Sequence, residues 1–253
     1  MVSPIPVITD PSELGTILGV WGHPDDEAYV SAGLMMGALE AGNRAVCVTA
    51  TRGEAGFADD DPRSSDERAT VREAELAACF EILGVTEHRW LHYPDGRCDQ
   101  IPDHEPVGRL AAILEEVRPD TVLTFDPFGQ TGHVDHIAAS RWTTLACRRV
   151  LPDVRLLYAV MTPEWVADFM DAAAIESVMM VDDMEPPTVP VADLSLWHQL
   201  DAEHLDRKVR ALRAQASQVE PLVQQVGLDR FAAFNRDETF RLATADDWAA
   251  PSS

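Results

Sequence analysis

The chain has 253 residues and sets 20 lysines and arginines against 43 aspartates and glutamates, a formal charge of −23. Such a polyanion lacks the basic side chains that displace counterions from phosphate backbones or anionic lipid, so nucleic-acid and membrane-surface functions are excluded. At 46% apolar and 25% charged residues the composition is that of a soluble globular protein, long enough to bury a substantial core.

Residues 1–10 carry no basic group and no apolar run of signal-peptide length, and no stretch approaches the roughly 20 apolar residues of a membrane span. Cys47, Cys79, Cys98 and Cys147 form no C-x-x-C pair and are read as reduced, buried thiols. A cytoplasmic location follows as an expectation.

Taken in chain order, short β-branched runs alternate with helical patterns. A buried strand is expected over 16–21, a helix over 27–40 and a second strand over 44–51. An amphipathic helix over 66–83 ends at Gly84, a C-terminal cap. A third strand covers 88–92, a helix 107–117 stopped by Pro119, and a fourth strand 121–125. A helix over 134–150 and a fifth strand over 155–160 follow. Beyond that the pattern loosens into a helix over 163–174, a proline-rich turn over 184–190, a long helix over 196–219 and a further segment over 230–242. The alternation predicts an α/β fold, a three-layer αβα sandwich around a Rossmann-like, mostly parallel sheet. With no linker in view, 1–253 reads as one domain, with a core over 16–160 and a C-terminal extension over 161–253.

A parallel sheet binds ligands at the carboxyl ends of its strands. The first strand runs into Gly22-His23-Pro24-Asp25-Asp26-Glu27. The G-x-G-x-x-G of a dinucleotide fold is absent here, and the chain has neither a P-loop nor a G-x-S-x-G serine elbow. Instead an imidazole and three carboxylates stand together, a donor set suited to zinc or another first-row metal. Alone, the three acids could simply favour a helix N-terminus. The fourth strand, however, runs into Asp126-Pro127-Phe128-Gly129-Gln130-Thr131-Gly132-His133-Val134-Asp135-His136. Two such clusters at one end of one sheet point to a metal site.

These residues resemble the zinc-dependent LmbE/PIG-L deacetylases, which include N-acetylglucosaminyl-phosphatidylinositol deacetylases and the mycothiol-pathway deacetylase and amidase. The resemblance rests on A/G-H-P-D-D-E at Gly22–Glu27 and G-H-x-D-H at Gly132–His136. It is supported by T-x-G-E-x-G at Thr51–Gly56 and by R-x-x-E leading to L-G-V at Arg72, Glu75 and Leu83–Val85. It is strong over 16–150 and weaker to Leu242.

The resemblance implies one zinc ion bound by His23, Asp26 and His136, with Asp25 as general base. It makes His133 the group facing the oxyanion and leaving amine, oriented by Asp135, and places Arg72 and Asp95 against the sugar. Glu54, in the loop after the second strand, is a further substrate-binding candidate on the crevice rim, and the 52–65 loop a substrate contact or lid. The bland reading of Arg72 is an ion pair with Glu73 or Glu75. Thr131 stands where the mycothiol branch has tyrosine, and Gln215 where the family's late A-H-x-S-Q element has histidine. These departures leave the zinc chemistry intact and tell against mycothiol itself as substrate.

The resemblance thus implies hydrolysis of an N-acyl, typically N-acetyl, group on an amino sugar or glycoconjugate. A mycothiol-conjugate-type amidase is the nearest alternative. A non-haem iron oxygenase could use two histidines and a carboxylate, but its triad normally sits in a β-barrel. A non-catalytic metal-binding module would not need Asp25 and His133. The expected partner is a small acylated amino sugar, with neither nucleic acid nor membrane, and a homo-oligomer is left open.

Overall fold

The computed structural model describes residues 7–170, 179–181 and 185–249. Its seven strands are β1 (Ile17–Trp21), β2 (Ala45–Thr51), β3 (Glu87–Tyr93), β4 (Thr121–Phe125), β5 (Arg155–Ala159), β6 (Leu196–Gln199) and β7 (Asp237–Leu242). They form one sheet in the order β3-β2-β1-β4-β5-β7-β6. β1 to β5 are parallel, and β7 joins β5 and β6 antiparallel.

Every residue of β1, β2 and β4 is buried, as strands covered on both faces must be. Alternate side chains go to opposite layers. Leu18, Val20, Val46 and Val48 pack with helices α3 (His104–Val117) and α5 (Val134–Val150, preceded by the single turn α4, Gly129–Gly132) through Leu110, Leu114 and Trp142. Ala45 and Cys47 pack with α1 (Asp26–Glu40), α2 (Ser65–Leu83) and α7 (Ala202–Ala214) through Met35, Leu76 and Leu212. The four cysteines are free and buried.

Local chemistry sets the helix bounds. The Ser64 side chain accepts the Glu67 N–H while the Glu67 carboxylate accepts from Ser64 N–H, a capping box that opens α2. Gly84 closes it in the left-handed region at φ 81°. α3 begins earlier than expected, at His104, because Pro106 fits a first turn, where its missing N–H costs nothing.

The C-terminal region departs most from expectation. The long helix predicted over 196–219 is instead strand β6, then α7, then a separate helix α8 (Ala216–Val226) after a break at Gln215. The Asp201 carboxylate caps α7 by accepting the His204 N–H, so the helix cannot extend back to Leu196. The 230–242 segment divides into helix α9 (Leu228–Phe234) and strand β7. The extension over 161–253 therefore completes the sheet rather than merely covering it. Of the helix expected over 163–174, α6 spans Pro163–Met170 and the rest lies outside the described residues. The 184–190 turn is described from Glu185, and Thr188 bridges to Met161. Among the described residues no helix is long and apolar enough to cross a membrane.

Candidate active site

From β1 the chain builds outward to β2 and β3, then returns to the other side of β1 to place β4 and β5. The crevice between β1 and β4 is thus the topological switch point, where an open α/β sheet offers a ligand site. Both histidine–aspartate segments empty into it. The two approach closely because of Gly22: a Cβ there would stand 2.8 Å from His136 Cδ2.

The geometry assigns each ring nitrogen. His23 Nε2 lies 3.1 Å from both Asp135 Oδ2 and Asp95 Oδ1, so it carries the proton and donates to the carboxylates. Its Nδ1 is the nitrogen not engaged by Asp95 or Asp135, and stands 3.1 Å from His136 Nε2. His136 Nδ1 faces the Gly129 carbonyl at 3.1 Å and donates to it, freeing Nε2. The His136 ring is pinned by stacking on Phe125 at 4.0 Å between centroids. Asp26 Oδ2 accepts the His23 N–H at 2.8 Å, while Oδ1 stands 3.3 Å from His136 Nε2. His23 Nδ1 to Asp26 Oδ2 is 3.7 Å.

Donor atoms of a tetrahedral zinc site, roughly 2.0–2.1 Å from the ion, lie about 3.3–3.4 Å apart. The two contacts at His136 Nε2, 3.1 and 3.3 Å, are of that order, while Asp26 meets His23 through its other oxygen, Oδ2, at 3.7 Å. Both histidines also present the second hydrogen bond that fixes a ligand's tautomer. Among the described residues, two groupings offer one potential donor atom per residue all within 4.8 Å of one another: His23 with His133 and His136, and His23 with Asp95 and Asp135. The second is already closed by hydrogen bonds from His23 Nε2. In the first, His133 stands beside the His23–Asp26–His136 triangle as a further nitrogen. Beside His23 and His136, Asp26 thus offers a charged oxygen, 3.3 Å from His136 Nε2, and His133 a nitrogen.

Asp25 occupies the N-cap of α1 at φ 101°, a region costly for any residue with a Cβ. Its N–H is held by Glu27 Oε2 at 3.1 Å. Arg72 donates to the Pro24 carbonyl and, at 3.2 Å, to Asp25 Oδ2. Burial, reinforced by the neighbouring Asp26 carboxylate, pushes the Asp25 carboxyl up to about 7 against the opposing Arg72 charge. That is the range of a base poised for neutral pH.

His23 is driven well above its usual range: burial opposes the charge, but the bonds to Asp135 and Asp95 prevail. His136 is pushed down to about 4, by burial first. His133 is lowered by burial and by the nearby His23 charge.

Several side chains stand elsewhere than expected. Asp135 does not orient His133: its carboxylate accepts from His23 Nε2 and from the N–H groups of Gly96 and Cys98, at 2.7 and 2.9 Å. His133 Nδ1 instead accepts the Asp135 backbone N–H at 3.1 Å, leaving Nε2–H as its outward donor. Asp95 backs His23 and accepts the Ala55 N–H rather than lying open to a sugar. Glu54 accepts the Asp95 N–H at 3.1 Å and ties the 52–65 loop to the site. Arg72 is 2% exposed and reaches Asp25, not Glu73 or Glu75. Glu73 pairs with Arg52, and Glu75 accepts from Ser217.

Two contributors escaped the sequence reading. Glu27, read there as a first-turn acid, is fully buried, and burial aided by Asp25 and Asp26 pushes it up to about 8. Gln215 Nε2 donates to Glu27 Oε1 at 2.8 Å. The Gly22–Glu27 motif could have flagged Glu27; Gln215 stands out in the sequence only as the residue in place of the family's histidine, with nothing to point it at Glu27.

The GlcNAc-PI de-N-acetylase (PIG-L) family model matches residues 18–147, and the chain belongs to this family of amidohydrolases. A 1D-myo-inositol 2-acetamido-2-deoxy-alpha-D-glucopyranoside deacetylase from Saccharomonospora viridis is 33% identical over 246 residues, covering 87% of this chain and 89% of the relative. Among solved structures, N,N'-diacetylchitobiose deacetylase from Pyrococcus horikoshii shares the fold with a TM-score of 0.64 at 21% identity, over 92% of this chain and 86% of the other. The deacetylase of the A40926 pseudoaglycone follows with a TM-score of 0.62 at 20% identity, over 93% and 99%.

Proposed function

We propose that this chain, acting as one domain, is a zinc-dependent hydrolase that removes an N-acyl group from an amino sugar or its glycoconjugate. The observation that carries this reading is the convergence of two imidazole nitrogens, His23 Nδ1 and His136 Nε2, with the Asp26 carboxylate, beside an independently held carboxylate, Asp25. His23, Asp26 and His136 would hold the ion. Zinc bound there supplies a water whose pKa falls from about 15.7 towards about 7, together with a Lewis acid for the carbonyl.

The chain's own groups do the rest. Asp25, with its carboxyl near neutrality, takes the proton of the attacking water. Once protonated, Asp25 is also the group able to return that proton to the departing amine. The lowered pKa of His133 leaves it neutral, so it acts through its Nε2–H, donating a hydrogen bond to the oxygen that gains charge. Arg72 and Glu27 act on Asp25, holding its carboxylate and its strained backbone.

The relatives' substrates supply the sugar part of the proposal: an N-acetylated glucosamine unit carried on a larger alcohol or glycan. The net charge of −23 favours a neutral substrate that yields a cationic amine. The test is release of primary amine from a panel of N-acylated amino sugars and glycoconjugates by zinc-loaded protein. Turnover of at least one member, lost on chelation, is expected; none across the panel would overturn the reading.

A further inference from the structure

Among the described residues, four other than glycine hold a positive φ: Asp25, His92, Arg118 and Gln130. Three have a local reason. Asp25 is the strained carboxylate of the site, Arg118 is the left-handed cap that ends α3, and His92 lies where β3 slips register against β2. Gln130, inside α4, has none. Its φ of 58° and ψ of −51° fall near the rare, strained γ-turn region rather than the left-handed helical one. Glycine takes such a bend without a steric clash, and Gly129 and Gly132 on either side already hold positive φ. The Asp126 carboxylate pins the turn by accepting the Gln130 N–H at 2.9 Å, a bond that glycine would make equally well. A long side chain kept at a strained position beside an active site points to a use for that side chain.

Its surroundings set the use. Gln130 follows Gly129, whose carbonyl accepts from His136 Nδ1 at 3.1 Å, and it lines the 450 Å³ crevice that also meets Asp25, Asp26 and His136. Most polar side chains on that crevice are committed within the protein. Asn235 donates to the Phe231 carbonyl, Thr239 to the Val160 carbonyl and Gln218 to Ser217 Oγ, while Asp237 accepts from Trp197 and Gln199. The Gln130 carboxamide has no such partner among the described residues. Gln225, whose amide is also uncommitted, stands exposed on the outer helix α8.

We infer that Gln130 is a substrate-binding residue whose carboxamide hydrogen-bonds a hydroxyl of the amino sugar beside the metal site. The inference rests on the N-deacylase reading above and adds a residue that selects the substrate. A carboxamide donates and accepts without charge, as a hydroxyl does. It therefore suits a neutral sugar in a crevice already lined by carboxylates.

The experiment is amine release from methyl N-acetylglucosaminide, and from analogues each lacking one of its hydroxyls, by zinc-loaded full-length protein. Gln130→Met keeps the side chain's length and removes its carboxamide. It should lower kcat/KM by about tenfold, the worth of one neutral hydrogen bond. For one analogue the variant and the wild type should agree within about twofold, because the partner hydroxyl is already gone. Gln130→Gly should show the same tenfold loss while Tm holds or rises, since glycine relieves the turn.

Wild-type kcat/KM in Gln130→Gly overturns the inference and makes the strain a property of the turn alone. A loss in Gln130→Met that is the same for every analogue also overturns it, because no hydroxyl is then read by the carboxamide. Either result leaves the deacylase reading standing. No amine released by the wild type removes that reading and this inference together.

Discussion

Two groups of charged side chains lie buried in this molecule, and they are balanced in opposite ways. Lys208, the chain's only lysine, and Glu238 are fully buried and paired at 2.8 Å. Glu238 also accepts the N–H groups of Gly33 and Leu34, at 2.8 and 2.9 Å, clasping β7 and α7 to the middle of α1. Each charge there meets its opposite and both carboxylate oxygens are used.

At the β1–β4 crevice, Asp25, Asp26, Glu27, Asp95 and Asp135 gather around Arg72 and the histidines, with acids in excess and lone pairs aimed at a common point. Burying unbalanced charge is costly. A closed pair can serve the fold, whereas an open, over-acidic cluster makes physical sense as the seat of a cation and of proton chemistry.

The contrast can be broken by exchanging the readouts. Asp25→Ala should lower kcat by about 10²–10⁴-fold while zinc stoichiometry and Tm hold, because the site's charges serve chemistry. Unchanged kcat would remove Asp25 as the base. Lys208→Met should do the reverse, costing about 3–5 kcal/mol in denaturant unfolding by stranding the Glu238 charge. Asp26→Asn, tested on metal-free protein, should leave stability unchanged or raised by relieving repulsion. A loss as large as that of Lys208→Met would erase the distinction.

A smaller effect is expected at Gln215→Leu. Removing the donor to Glu27 should cost about 1–3 kcal/mol and lower kcat with KM held, since Glu27 fixes the Asp25 backbone. A change in KM alone would contradict that positioning role.

The smallest expected effect lies outside both clusters, at His88. Burial, with the Arg89 and His92 charges, pushes it from 6.5 to about 4. The unfolded chain therefore binds a proton that the folded one refuses. The contribution is full above 6.5 and fades as pH falls towards about 4. His88→Gln should flatten the acid limb of the Tm–pH curve, and an unchanged limb would contradict the burial argument.

The parallel half of the sheet was readable because its strands are buried runs punctuated by capping and glycine signals. The meeting of His23, Asp26 and His136 was readable because they lie in two contiguous motifs at adjacent strand ends. What could not be read were partners set by tertiary contact: the turn of Asp135 towards His23, the reach of Arg72 from α2 to Asp25, and the link from Gln215 to Glu27. β6 was missed because Leu196-Trp197-His198-Gln199 is a short edge strand without a β-branched residue. In β7 the alternation is present, but its inward side chains are Glu238 and Phe240, and an inward glutamate makes sense only once Lys208 is seen opposite it.

We propose that His23, Asp26 and His136 hold one catalytic ion, with His133 standing outside the set. Calorimetric titration of metal-free protein with zinc tests it most directly, using the wild type, Asp26→Ala and His133→Ala. One ion per chain is expected for the wild type and for His133→Ala, and loss of tight binding for Asp26→Ala. Tight binding that survives in Asp26→Ala and disappears in His133→Ala would contradict it.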